Sequence, residues 1–176
     1  MKPRILVAGI GNIFLGDDAF GVEVAQKLLR MPWPPHVRVA DYGIRGFDLT
    51  YALMDGYDVA ILVDAMPRGD APGTLYVLEP DLSQPEQAGD ALPETHGMHP
   101  MRVLAMVHSM GGAPKRILVL GCEPSPCVDQ LEESMGLSEP VAAAVDEAVK
   151  MVNSLVDRVT QEHQAMAVLE GDRHEG

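Results

Sequence analysis

The stretch RILVAGIGNIFLGDDAFG, residues 4–21, decides how the rest of the chain is read. Its first half, Arg4 to Gly11, is almost wholly apolar and β-branched, the pattern of a strand buried on both faces. Glycines then turn the chain, and Val22, Ala25, Leu28 and Leu29 recur at three- and four-residue spacing, which predicts a helix. A strand, a glycine turn and a helix in that order open an α/β unit. The turn does not have the three-glycine spacing of a dinucleotide fingerprint, and two carboxylates at the helix start would repel a pyrophosphate.

Working outward, DVAILVDAM (Asp58 to Met66) is a second wholly apolar run. VRVAD (Val37 to Asp41), GTLYVLE (Gly73 to Glu79) and KRILVLGCE (Lys115 to Glu123) read as three more strands. Met101, Leu104, Ala105 and His108 suggest one further helix. LSEPVAAAVDEAVKMVNSLVDRV (Leu137 to Val159) predicts the longest, with Ser138 as its cap, Pro140 in its first turn and Val141, Ala144, Val145, Ala148, Val152 and Leu155 on one stripe. The expected architecture is a three-layer α/β sandwich: a mostly parallel twisted sheet of about five strands with helices on both faces. Residues 1–160 form a single domain in this reading, and the polar residues 161–176 a frayed C-terminal tail. Glu79 to Gly97 is the one long Pro/Gln/Asp-rich connection and the candidate surface for reading a partner.

The chain has 176 residues and a formal net charge of −13. Nucleic acid and anionic membranes are poor partners for such a surface, whereas a cation or a basic segment is attracted. No apolar run reaches the roughly 20 residues of a membrane span, and the start MKPRILVAGIGN meets a glycine turn rather than a signal-peptide cleavage site. The two cysteines, Cys122 and Cys127, suit a reducing compartment and make a poor redox pair, so the expected location is the cytoplasm.

Carboxylates gather where strands end. The first strand leads to Asp17 and Asp18, the second to Asp41 and the third to Asp64, and open α/β sheets bind ligands outside these carboxyl ends. Capping explains one member of the doublet, whereas the second stands beside a like charge and calls for a cation or donor. Histidine is the usual companion ligand: His96 lies in the approach to a helix, and His99 precedes Pro100 at that helix's start. Two oxygens and an imidazole with open positions suit a divalent transition ion. Neither the two-histidine helix of common metallopeptidases nor a glycine-flanked serine elbow is present.

These blocks, ILVAGIGNIFLGDDAFG, ADYGIRGFDL, ILVDAM, APGTLYVLEP, THGMHPMRVLAM and LGCEPSPCVDQLEESMGLSEPVAAAVDEAV, resemble the hydrogenase maturation proteases in order and content. The resemblance implies an endopeptidase that removes the C-terminal extension of a nickel-loaded nickel-iron hydrogenase large-subunit precursor. It implies that Asp18, Asp64 and His96 act as both the metal-binding and the catalytic positions, with His99 as the alternative histidine. Nickel would come with the substrate, zinc or cadmium serving as stand-ins in vitro. Asp17 and Asp41 would orient a ligand from behind. The sequence departs from the family at DYGIRG, where Ile44 and Arg45 replace small and hydroxylated residues; Arg45 is expected to hold a rim carboxylate or meet an acidic group of the substrate. Two rival readings remain open at this point: a metal-sensing chaperone that docks on the precursor without cutting it, and a nucleotide-binding α/β protein.

Overall fold

The computed structural model describes residues 1–81, 100–126 and 136–171. Its strands are β1 (Ile5–Ile10), β2 (Val37–Gly43), β3 (Val59–Ala65), β4 (Leu75–Leu78) and β5 (Arg116–Cys122). Its helices are α1 (Phe20–Leu28), α2 (Gly46–Leu53), α3 (Pro100–Ser109) and α4 (Glu139–Gly171). The strands form one sheet in the order β2-β1-β3-β5-β4, parallel except for β4, which pairs antiparallel with β5 at the edge. The expected three-layer α/β sandwich is what the chain adopts.

Strand alternation divides the apolar side chains between two cores. Ile5, Val7, Ile61, Val63, Leu118 and Leu120 face α1 and α4, where Phe20, Val24 and Leu28 meet Val141, Val145 and Val152. Leu6, Ala8, Ala60, Leu62 and Val119 face α2 and α3, where Leu49 and Leu53 meet Leu104 and Val107. Every residue of β1 is buried, which is why its sequence shows an unbroken apolar run. Complete burial of a side chain such as Phe20 or Leu104 contributes about 2–3 kcal/mol.

Three elements depart from expectation. Helix α2 does not announce itself, because Phe47 and Tyr51 project into solvent while Leu49, Thr50 and Leu53 are buried, so no clean apolar stripe marks it. Helix α3 is described from Pro100, and Val103, Leu104 and Val107 form its buried side while His108 is exposed. Helix α4 buries the whole predicted stripe, then continues to Gly171 where a frayed tail was expected. Arg116 at the start of β5 binds Glu162, holding the first turn of that extension against the sheet.

The route of the chain defines a crevice. From β1 it crosses through α1 to β2 on one side of the sheet, then returns through α2 to β3 on the other side of β1. The carboxyl ends of β1 and β3 are therefore a topological switch point with α1 and α2 on opposite faces. Helix α1 approaches that point without side chains in the way. A Cβ on Gly21 would run into the carbonyl oxygens of Val63 and Ile10. Gly11, at φ +141, leaves no room for a Cβ beneath the carbonyl of Asp18. The third glycine missing from a dinucleotide spacing thus has a counterpart in Gly21, displaced by the loop that carries the aspartates. Gly21→Ala is expected to lose about 3 kcal/mol or more of stability, read as a lowered urea midpoint, because the colliding atoms are backbone.

Candidate active site

The Asp17–Asp18 doublet lies in a 3-10 turn, Gly16–Ala19, between β1 and α1. Neither residue caps a helix: Leu15 and Ala19 hold the N-cap positions of the turn and of α1, and neither makes a side-chain cap bond. The two carboxylates face different partners. Asp17 accepts the Ser125 N–H at 2.8 Å, the Ser138 N–H at 2.7 Å and the Ser138 hydroxyl at 2.9 Å. The two serine hydroxyls are themselves 2.8 Å apart. Ser138 is the residue before α4 and its carbonyl accepts the first helical bond, from Ala142. Its hydroxyl, predicted to cap that helix, donates to Asp17 instead. Asp17 thus fastens the turn to the exit of β5 and to the start of α4.

Asp18 turns the other way. Its Oδ2 accepts the Asn12 N–H at 2.8 Å, while Asn12 Oδ1 accepts the Phe14 N–H at 3.0 Å, so the loop between β1 and the doublet is braced from within. Burial raises the Asp18 pKa, and the Asn12 bond works against that rise.

Asp64 is the penultimate residue of β3 and is buried, with 5% of its surface exposed. Its pKa is raised well above the ordinary carboxylate value, first by desolvation and then by the negative charge of Asp18; a backbone bond at Ala65 opposes both. The structure therefore brings Asp18 and Asp64 together at the switch point. Among the described residues no Lys or Arg forms an ion pair with either. A buried carboxylate beside a second one, with no cationic side chain supplied, is a donor pair suited to an incoming cation. No three-membered cluster of metal-ligating side chains forms among the described residues, and the proposed third ligand, His96, lies outside them together with His99.

Asp41 does not join the pair. It lies within β2, level with Gly9, and accepts Gln26 Nε2 of α1 at 2.9 Å. Arg45 is also engaged elsewhere than expected: it donates to the Asp41 and Tyr42 carbonyls and lies 3.7 Å from Asp48. Among the described residues its only carboxylate partner is Asp48, not Asp17, Asp18, Asp41 or Asp64 at the strand ends.

One acidic residue on the rim escaped the sequence reading. Glu123 follows β5 and is buried, and its carboxylate accepts the Arg68 N–H at 2.7 Å and the Gly69 N–H at 3.3 Å. It fixes the loop that leaves Asp64. The signal was available, since Glu123 ends an apolar strand in the same way Asp64 does. Tyr76 supports the same loop, donating to the Met66 carbonyl at 2.6 Å beneath the Arg68 guanidinium, 4.4 Å from its ring centre. Cys122 is buried, and desolvation, with Asp17 and Glu123 nearby, pushes its thiol up to about 12, so it is no nucleophile at neutral pH. Cys127 lies outside the described residues.

Residues 22–155 match the model of a hydrogenase maturation protease family, HycI. The chain is 32% identical to the hydrogenase 2 maturation protease of Escherichia coli over 151 residues, covering 85% of this chain and 88% of that one. It is 33% identical to the hydrogenase expression/formation protein HupD of Rhizobium leguminosarum over 172 residues, 94% of this chain and 82% of the relative. Its fold superposes on the hydrogenase maturating endopeptidase HybD from E. coli with a TM-score of 0.70 at 30% identity, covering 88% and 93% of the two chains.

Two outcomes follow from the site geometry. Asp17→Ala removes the acceptor of three hydrogen bonds and is expected to cost about 2–4 kcal/mol, whereas Asp17→Asn, which keeps one carbonyl acceptor, costs less; chemical denaturation measures both. For Asp64 the folded pKa lies above the unfolded one. As pH rises past 3.8 the unfolded chain ionises first, so this residue costs the metal-free protein stability until the folded carboxyl also ionises. Wild type should therefore lose stability relative to Asp64→Asn as pH rises from about 4 towards neutrality, read from paired urea midpoints. A difference that stays constant across that range would contradict the burial argument.

Proposed function

Because this chain belongs to the hydrogenase maturation protease family, it is an endopeptidase of hydrogenase maturation, and we propose that its substrate is a nickel-loaded large-subunit precursor from which it removes a C-terminal extension. The observation that carries the proposal is the Asp18–Asp64 pair at the switch point, two carboxylates brought together with no Lys or Arg among the described residues to neutralise them. A cation arriving with the substrate would relieve that arrangement. Asp18 and Asp64 supply oxygen ligands to the nickel held by the precursor, and His96 supplies an imidazole. The ion is cargo of the substrate in this reading, so an unloaded precursor offers nothing for the pair to bind.

The chain's own residues then have separate tasks. Burial and the Asp18 charge disfavour ionisation of Asp64 in the free protein, and a bound cation would favour it, because a ligand must be deprotonated. Asp18 presents the second oxygen from a loop already shaped by Asn12. Asp17, saturated by three donors, keeps that loop seated on the β5 exit and α4. We place the reaction in the cytoplasm; the support is the cysteine usage, the net charge and the fact that no helix among the described residues is long and apolar enough to cross a membrane.

The test is the intact mass of the precursor after incubation with wild type or Asp18→Asn, with and without nickel. Asn retains an oxygen that can accept the Asn12 N–H but lacks the charge. The expected result is loss of a C-terminal fragment only with wild type and nickel, the variant being slower by about 100-fold or more. An unchanged mass despite binding to loaded precursor would instead identify a metal-sensing chaperone.

A further inference from the structure

Six large apolar side chains stand in solvent at one rim of the sheet. Ile13 (48% exposed), Phe14 (61%) and Leu15 (50%) follow β1 and lead into the aspartate doublet. Ile44 (60%), Phe47 (75%) and Tyr51 (71%) follow β2 and run onto α2. The two groups are neighbours, because their loops leave adjacent parallel strands and the Gly11 N–H donates to the Gly43 carbonyl at 3.1 Å. Phe47 and Tyr51 are four residues apart on α2 and share one side of it. Scattered exposed apolar residues are ordinary, whereas six around one crevice mark a contact surface.

The rim is also anionic. Asp18 and Asp48 belong to it, and Arg45 is engaged by Asp48 and by two carbonyls. The loop is rigid before any partner arrives: besides the Asn12 bonds to Asp18 and Phe14, the Leu15 N–H donates to the Asn12 carbonyl at 3.1 Å.

We propose that this rim docks a peptide segment of the precursor adjacent to the scissile bond, apolar in its main side chains and flanked by Lys or Arg. The inference rests on the endopeptidase reading and adds to it the surface that positions the substrate. Continuity argues for this occupant: residues 13–15 and Asp18 belong to one short loop, so a substrate chain that reaches Asp18 passes over the apolar side chains. Charge complementarity argues for the basic flank, against a protein of net charge −13. A preshaped aromatic surface loses little entropy on binding, which suits anchors such as Phe47 and Tyr51.

The experiment compares steady-state processing of nickel-loaded precursor, followed by intact mass, for wild type, Phe14→Ser and the double variant Phe47→Ser/Tyr51→Ser. Met166→Ser, an equally exposed position on α4, is the control. Expected is a rise in KM of about tenfold or more for the rim variants with kcat within about twofold, unchanged unfolding midpoints, and a wild-type KM that rises with salt. If wild type cleaves and the rim variants show an unchanged KM, the docking surface is refuted while the protease reading stands. A fall in kcat at constant KM refutes it as well, as does a wild-type dimer that the rim variants dissociate, since the occupant is then a second copy of this chain. If wild type leaves the precursor mass unchanged, the protease reading fails by itself; sedimentation of precursor with wild type and rim variants then decides docking, weakened binding supporting it and equal binding overturning it.

Discussion

Helix α1 begins directly on the carboxyl ends of β1 and β3, with glycine wherever a side chain would intervene, and that close approach determines what the rest of the site can be. Gly21 lets the first turn touch the Ile10 and Val63 carbonyls, and Gly11 lets the Asp18 backbone sit over the end of β1. The consequence is electrostatic as well as steric. Asp18 is brought close enough for its charge to bear on Asp64, in a place where desolvation already disfavours ionisation. Replacing backbone contact with a side chain would push the turn outward, and the two carboxylates would become independent surface acids.

The doublet shows how adjacent identical residues acquire unlike physics. Asp17 ends with three hydrogen bonds from Ser125 and Ser138, a saturated carboxylate that holds segments together. Asp18, among the described residues, accepts a single backbone donor, the Asn12 N–H. A carboxylate whose two oxygens are already engaged by donors is a poor candidate for a new ligand, while a partly desolvated one gains from a cation. Glu123 belongs with Asp17 in this division, since its oxygens are taken by the loop after Asp64.

Much of this was legible in sequence because the signal was local. The buried strands are continuous apolar runs, the long helix carries its stripe at regular spacing, and carboxylates at strand ends point to the rim that parallel sheets use for ligands. What was not legible depends on partners far along the chain. The donors to Asp17 lie 108 and 121 positions away, so capping was the natural local expectation for a carboxylate at a helix start. Arg45 looked like a rim cation by charge alone, but its side chain bends back to carbonyls of its own turn. Helix α2 was hidden by the exposed aromatic residues on its outer side, and the extension of α4 past Thr160 by its polarity, which a helix held through Arg116 and Glu162 tolerates.

The geometry of α4 bears on what the protein cannot reach by itself. Its first residue follows Ser138, which is bonded to Asp17, so the helix departs from the edge of the crevice. At 1.5 Å per residue its 33 residues carry the chain about 50 Å away before the helix ends at Gly171. Any segment continuing from there would need about fifteen fully extended residues to return to the carboxylates. The far end of the longest described helix thus lies well away from the crevice at which the helix begins.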